Sequence, residues 1–302
     1  MSPIAKSLPN DTRIDNYVIS KTLSRGGFSF VYLAKEVDSG KRVVLKEYMP
    51  SKLAKRDAEM RVVARDEETI EYFNHGRKLF LQEAKALAKL QHPNIVHVNN
   101  FFSGNGTVYF AMEYEQGHNL HSYIKKHGGF LSEQFLLTVF PDLLNGLAMI
   151  HKTGFLHLDI KPSNVHLRPG GSPLLLDFGA VHPIMQTRSS QLTQVITPGF
   201  SPIEQYNNNG YVGPWTDIYS LGATMRNCID RRPPPEAIKR HEHDVMKPAT
   251  EAYHKKYSAN LLKAIDWAME IDPMLRPQNA DELLAVLPRW ETDGDKTKEE
   301  SA

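Results

Sequence analysis

Within Tyr17–Leu45, Phe28, Phe30 and Tyr32 alternate with Ser29 and Val31. That period predicts strands broken by glycines, and Arg42–Leu45 adds a short β-branched run. Asp38-Ser39-Gly40-Lys41 supplies turn chemistry between them. From Phe73 to Leu90 the period lengthens, with Leu79, Ala84, Leu87 and Leu90 at three- and four-residue steps, which predicts a helix. Ile95–Val98 and Thr107–Met112 are strand-like again, around a hairpin turn at Ser103-Gly104-Asn105-Gly106. Beyond Gly117 the pattern is helical. Glu133–His151 places Phe135, Leu136, Val139, Leu143, Leu147 and Ile150 on one face, and Pro141 is a candidate kink. Further helices are expected at Asp217–Cys228, Asn260–Glu270 and Asn279–Leu287. The fold class read from this order is α+β: a small sheet-rich part with one main helix, connected near Glu113–Gly117 to a larger helical part.

The 302 residues suffice for one large or two ordinary domains, and 41% hydrophobic with 24% charged content is ordinary for a soluble globular protein. A net charge of +1 gives no push toward nucleic acid or a membrane surface. The single cysteine, Cys228, has no partner within the chain, which fits a reducing cytoplasm and an inert core thiol. No run of roughly 18 apolar residues occurs, and Met1–Asn10 lacks an apolar signal region. The polar stretch 291–302 reads as a disordered tail. His241-Glu242-His243-Asp244 has neither the spacing nor the cysteine that a zinc site would favour and is expected to be a solvated loop.

The chemistry concentrates in His157-Leu158-Asp159-Ile160-Lys161-Pro162-Ser163-Asn164, followed by Asp177-Phe178-Gly179. A carboxylate, a lysine, an amide and a second carboxylate are what phosphoryl transfer needs. They orient an acceptor hydroxyl, neutralise phosphate and hold a hard cation through oxygen.

These motifs resemble the catalytic loop and metal-binding motif of the eukaryotic-like (Hanks-type) Ser/Thr protein kinases, including soluble proteobacterial members. Others follow in the family's order. Leu23-Ser24-Arg25-Gly26-Gly27-Phe28-Ser29-Phe30-Val31 resembles the glycine-rich loop, with Ser24 and Ser29 where the first and third glycines usually stand. Lys46, ending Val43-Val44-Leu45-Lys46, is similar to the lysine that grips the α- and β-phosphates, and Glu83 to its helix partner. Pro202-Ile203-Glu204 resembles the end of the activation segment, with Arg276 as the partner of Glu204. Asp217 matches the aspartate that braces the catalytic loop.

The resemblance implies a bilobal kinase-like fold over residues 17–290, with a small lobe at 17–112, hinge and large lobe at 113–290, and an N-terminal extension at 1–16. It implies a cytoplasmic enzyme using ATP and Mg²⁺, with Mn²⁺ as an alternative, to phosphorylate protein Ser/Thr hydroxyls, itself included. Asp159 would orient or deprotonate the acceptor, Lys161 would pair with the γ-phosphate, and Asn164 and Asp177 would hold the metal. Nucleotide contacts would come from Leu23, Ser24, Gly26, Gly27, Ser29, Val31, Val44, Lys46 and Met112. The backbone of Glu113–Glu115 would meet adenine, and Asn119 the ribose. Leu87, Val98, His157 and Phe178 match the internal hydrophobic spine. A protein substrate and a cognate phosphatase are the implied partners; oligomeric state is left open.

Two departures carry meaning. Leu158 replaces the arginine that reads a phosphate on the activation loop, so activation is expected not to depend on Thr187, Ser189, Ser190 or Thr193. His166 falls where relatives pack an aliphatic side chain beneath adenine; either the imidazole stacks there or the register is displaced by one. The segment Arg56–Asn74 lengthens the usual interval between Lys46 and Glu83, as a surface insertion or as a regulator of the Glu83 helix. A pseudokinase or nucleotide-binding scaffold is the alternative function. A small-molecule kinase fits less well, because such enzymes generally lack both Phe-Gly after the metal aspartate and the Glu204/Arg276 frame.

Overall fold

Strand-forming residues dominate the first hundred positions and are tied together almost entirely by antiparallel ladders. The computed structural model describes residues 6–176, 182–183, 196–207 and 210–288, and the chain divides into two compact units, Met1–His92 with Val96–Glu115 and Pro93–Ile95 with Gln116–Ala302. In the first unit β1 (Arg13–Ile14), β2 (Tyr17–Arg25), β3 (Ser29–Glu36), β4 (Arg42–Tyr48), β7 (Val98–Gly104) and β8 (Thr107–Glu113) form one sheet in the order β1-β2-β3-β4-β8-β7. The described part of 6–16 is thus bound into the sheet through β1 rather than standing apart as an extension, and Leu8 is buried as well. The division between the units falls after Glu115, so Glu113–Glu115 belong with the sheet.

Helix α1 (Ile70–Leu87) lays Phe73, Phe80, Ala84 and Leu87 inward, and the Phe80 ring lies 4.8 Å from that of Phe110 on β8. Gly76 is required there by close approach: a Cβ would stand 1.9 Å from the Tyr48 hydroxyl. Two expectations are corrected. Ile95–Val98 is not a strand; the strand starts at Val98, and Ile95 makes one isolated bridge to Leu175 in the second unit. Arg56–Asn74 is not a plain surface insertion. Its start completes a hairpin, β5 (Ala54–Arg56) with β6 (Val62–Ala64), and its end is the first turn of α1. Apolar Ala54 and Val62 bury within this charge-rich stretch and give the hairpin its inner face.

The second unit is mostly helical. Its helices include α2 (Leu120–His127), α3 (Glu133–Lys152), α4 (Ile203–Tyr206), α5 (Pro214–Asp230), α6 (Ala237–Glu242), α7 (Ala249–Ala252), α8 (Ala259–Ala268) and α9 (Ala280–Val286). Ser132 caps α3 by accepting from Phe135 N at 3.1 Å, and the helix runs on through Pro141. Helix α5 is buried on nearly every side, as its all-round apolar and small residues require, and Cys228 is fully enclosed in it. His241 and Glu242 close α6 instead of forming a loop, and Asp244 pairs with Arg240. Strands β9 (His118–Asn119), β11 (Val165–Leu167) and β12 (Pro173–Leu175) form a small sheet, while β10 (Phe155–Leu156) pairs with β13 (His182–Pro183). Among the described residues no helix is long and apolar enough to cross a membrane.

Candidate active site

In the first unit, Lys46 sits in mid-ladder on β4, opposite Val31 on β3 and Phe110 on β8. Its side chain is buried, with Nζ 3.8 Å from Glu83 Oε1 and lying over the rings of Phe110 and Phe80 at 5.2 and 5.6 Å. A buried ammonium needs such partners, because desolvation of an isolated charge is prohibitive. The sequence-predicted pair is therefore brought together. Leu23 and Ser24 end β2 and are exposed, Ser29 opens β3 and is buried, and Gly26 N donates to Ser29 O at 2.9 Å. A Cβ on Gly27 would meet nothing within 4 Å, and one on Gly26 only ordinary contacts. Internal packing does not demand these glycines, since a side chain at either would find room. Val44 pairs with buried Met112, and Val43 with Glu113, whose N–H donates to His97 O at 3.2 Å. Glu115 is half-buried at the end of the unit.

The second unit holds the loop Phe155–Asn164. Leu158 adopts φ +60°, a left-handed conformation costly for a branched side chain, and it is held from outside. Asp217, fully buried on α5, accepts from His157 N at 2.9 Å and Leu158 N at 2.7 Å, and its Oδ2 lies 2.9 Å from His151 Nε2. Gln205 Nε2 donates to Leu158 O at 3.0 Å. The Leu158 side chain packs with Leu156 and Val212 in an apolar cluster. His157 accepts from Asp159 N through Nδ1 at 3.3 Å, and its Nε2 lies 3.2 Å from Leu176 O, so both ring nitrogens serve the loop's shape.

Around Asp159 the polar groups converge. Lys161 Nζ donates to both carboxylate oxygens at 2.8 Å. Asn164 Nδ2 donates to the Asp159 carbonyl at 2.9 Å and to Oδ2 at 3.0 Å. Thr197 Oγ1 donates to Oδ1 at 2.7 Å and accepts from Lys161 Nζ at 3.1 Å. Asn164 Oδ1 lies 3.5 Å from Ser163 Oγ, and an amide oxygen of this kind has the hard-donor chemistry that would suit a magnesium ion. Asp177, Phe178 and the hydroxyls Thr187, Ser189, Ser190 and Thr193 lie outside the described residues. Asn119 caps α2, accepting from Ser122 N through Oδ1 at 2.8 Å. His166 pairs with Asn119 across β9 and β11, and its Nε2 lies 3.1 Å from Gln116 O.

No motif in the sequence assigns a site role to Thr197, His151 or Gln205, although Thr197 lies five residues ahead of Pro202-Ile203-Glu204. Glu204 and Arg276 meet as expected, at 2.8 Å and buried.

A profile of the protein kinase domain matches residues 17–286. Serine/threonine-protein kinase D of Synechocystis sp. is 30% identical over 91% of this chain and 52% of its own length. PknA of Nostoc sp., also a serine/threonine-protein kinase, is 29% identical over 91% of this chain and 47% of its own length. The chain thus spans about half the length of these curated relatives. Among solved structures, the apo form of PpkA-294 is 34% identical with a TM-score of 0.79, covering 93% of this chain and 99% of its own. The PknI kinase domain of Mycobacterium tuberculosis, 22% identical with a TM-score of 0.68 over 93% of this chain and 98% of its own, shares the fold. A sheet with one long helix, a second unit built of helices, and these matches together show that the chain belongs to the protein kinase domain family.

Proposed function

We propose that this chain is a Ser/Thr protein kinase that transfers the γ-phosphate of ATP to hydroxyls on proteins, including its own, in a bacterial cytoplasm. The observation that carries the reading is the Thr197 hydroxyl on Asp159 and Lys161, at 2.7 and 3.1 Å. A carboxylate and an ammonium that together hold one alcohol have the chemistry to hold an acceptor alcohol beside a phosphate. Asp159 orients the acceptor hydroxyl and takes its proton as the new bond to the γ-phosphorus forms and the bond from that phosphorus to the β,γ-bridging oxygen breaks, releasing ADP. Lys161 Nζ lies on the same side of the carboxylate and moves its charge to the transferring phosphoryl group. Lys46 grips the α- and β-phosphates, and Glu83 keeps that lysine aimed. The backbone amide of Gly27 lines the phosphates, while that of Gly26 holds the loop by donating to Ser29 O. Asn164 and Asp177 would hold Mg²⁺, or Mn²⁺, which when bound neutralises the charge on the phosphate oxygens. The buried, inward packing of Leu158 supports an active state that needs no phosphate on the activation loop, and a cognate phosphatase would reverse the product.

The test is label transfer from γ-labelled ATP with Mg²⁺, to the protein itself and to a generic basic protein, for wild type and Asp177→Asn. Label on Ser/Thr that disappears in the variant is expected. Magnesium-dependent ATP binding without any transfer would refute the reading in favour of a nucleotide-binding scaffold.

A further inference from the structure

The glycine-rich loop does not hang free. Phe28 O accepts from Met49 N at 2.8 Å and Gly27 O accepts from Ser51 N at 2.9 Å, extending the β3–β4 ladder out to the tip of the loop. Ser51 begins the run into the inserted hairpin, and the hairpin's exit holds it: Arg65 Nε donates to Ser51 O at 2.9 Å and Arg65 N to Leu53 O at 3.0 Å. The hairpin grips the sheet a second time through Arg56. Its Nη1 and Nη2 donate to Glu47 Oε1 at 3.1 Å and Oε2 at 2.5 Å, while Tyr32 and Tyr109 hydroxyls donate to the same carboxylate at 2.8 and 2.5 Å. Glu47 is fully buried and is the neighbour of Lys46. Arg56 Nε and Nη1 also bind Lys6 O at 2.6 Å and Met60 O at 3.1 Å. The next residue, Tyr48, packs on Phe73 and under Gly76 of the helix that carries Glu83.

We propose that the hairpin Ala54–Ala64 is a tether that sets nucleotide affinity, with Arg65 and Arg56 as positioning residues that hold the glycine-rich loop and the Lys46 strand in one frame. The proposal rests on the kinase reading above, since it concerns the same ATP site. Amides that must surround phosphates bind more weakly when their backbone is free to wander, because ordering them then costs entropy at each binding event. Neither arginine touches the ligand; each acts through a neighbour.

The experiment measures Kd for Mg·ATP by calorimetry, KM for ATP and for a protein substrate, and Tm, on the full chain. The variants are Arg65→Gln, the charge-neutral pair Glu47→Gln/Arg56→Met, and Arg61→Gln as control. Arg61 lies in the same hairpin, 60% exposed, and among the described residues its ion pairs are with Asp57 and Glu59. Loss of the single Arg65 Nε bond predicts that Kd and KM for ATP rise about three- to tenfold in Arg65→Gln, and at least as much in the pair, which removes every Arg56 side-chain bond, while KM for the protein substrate stays constant and Arg61→Gln is unchanged. Variants that lose Tm but bind Mg·ATP within twofold of wild type would show a merely structural role and overturn the proposal. A rise of equal size in Arg61→Gln would overturn it too. A wild-type chain that binds no Mg·ATP would overturn the proposal together with the kinase reading.

Discussion

Replacing Arg276 by Met should be among the most damaging single changes outside the catalytic loop. Arg276 Nη1 donates to Glu204 Oε1 at 2.8 Å and Nη2 to Oε2 at 3.2 Å, with both side chains buried. The guanidinium also binds Glu270 O at 2.6 Å and Ile271 O at 2.8 Å, whereas among the described residues the Glu204 carboxylate has the Thr216 hydroxyl besides, at 2.9 Å. Methionine therefore leaves a buried carboxylate with one neutral donor, at a cost of about 3–5 kcal/mol. Against a typical domain stability of about 5–15 kcal/mol this is a large share, and about 4 kcal/mol raises the unfolded ratio roughly a thousandfold. Glu204→Gln keeps volume and an acceptor, and leaves the arginine its carbonyl partners Glu270, Ile271 and Trp215, so it should cost only about 1–3 kcal/mol. The double variant removes both charges and should cost less than the two singles added. Equilibrium urea unfolding followed by tryptophan fluorescence reads all three. A loss under about 1 kcal/mol for Arg276→Met, or strict additivity in the double variant, would refute the reasoning.

Thr197→Ala removes the hydroxyl shared by Asp159 and Lys161, and kcat should fall about tenfold, ~1.4 kcal/mol, with KM for ATP constant in steady-state assays; a shift in KM for ATP alone would contradict this. Gly76→Ala drives a methyl onto the Tyr48 ring and should cost about 1–3 kcal/mol in thermal or urea unfolding, as overpacking does; a neutral or stabilising result would mean that α1 moves freely. Alanine at Thr187, Ser189, Ser190 and Thr193 together should change transfer rates by less than about tenfold, because Leu158 has no charge to read a phosphate there.

The candidate catalytic cluster was legible because Asp159, Lys161 and Asn164 are close in the chain and their residue types admit few other chemistries. Lys46 and Glu83 were legible through pattern, one on a β-branched run and one on a helical period. Thr197 was not, since its meaning lies in a contact with Asp159 that only the folded loop creates. The His151–Asp217 contact is long-range in the same way. Arg56 was hidden for another reason. An arginine in a charged stretch looks solvated, and nothing local reveals that Glu47, inside the apolar run Val43–Met49, is buried and needs a cation. That lone acid among buried strand residues was the available signal, together with Ala54 and Val62 as an inner face. Helix ends moved by a few residues where caps and first turns carry no periodicity: α1 begins at Ile70 and α5 at Pro214, ahead of their first apolar landmarks.

The central claim is that Asp159 serves the transfer step and not the nucleotide. Asp159→Ala, compared with wild type by Mg·ATP calorimetry and by single-turnover transfer to a protein substrate, tests it most directly. Transfer is predicted to fall by about 10²–10⁴, the range for a lost general base. Kd for Mg·ATP should stay within about threefold of wild type, under ~0.7 kcal/mol. Loss of binding in the same proportion as loss of transfer would contradict the role assigned to this carboxylate.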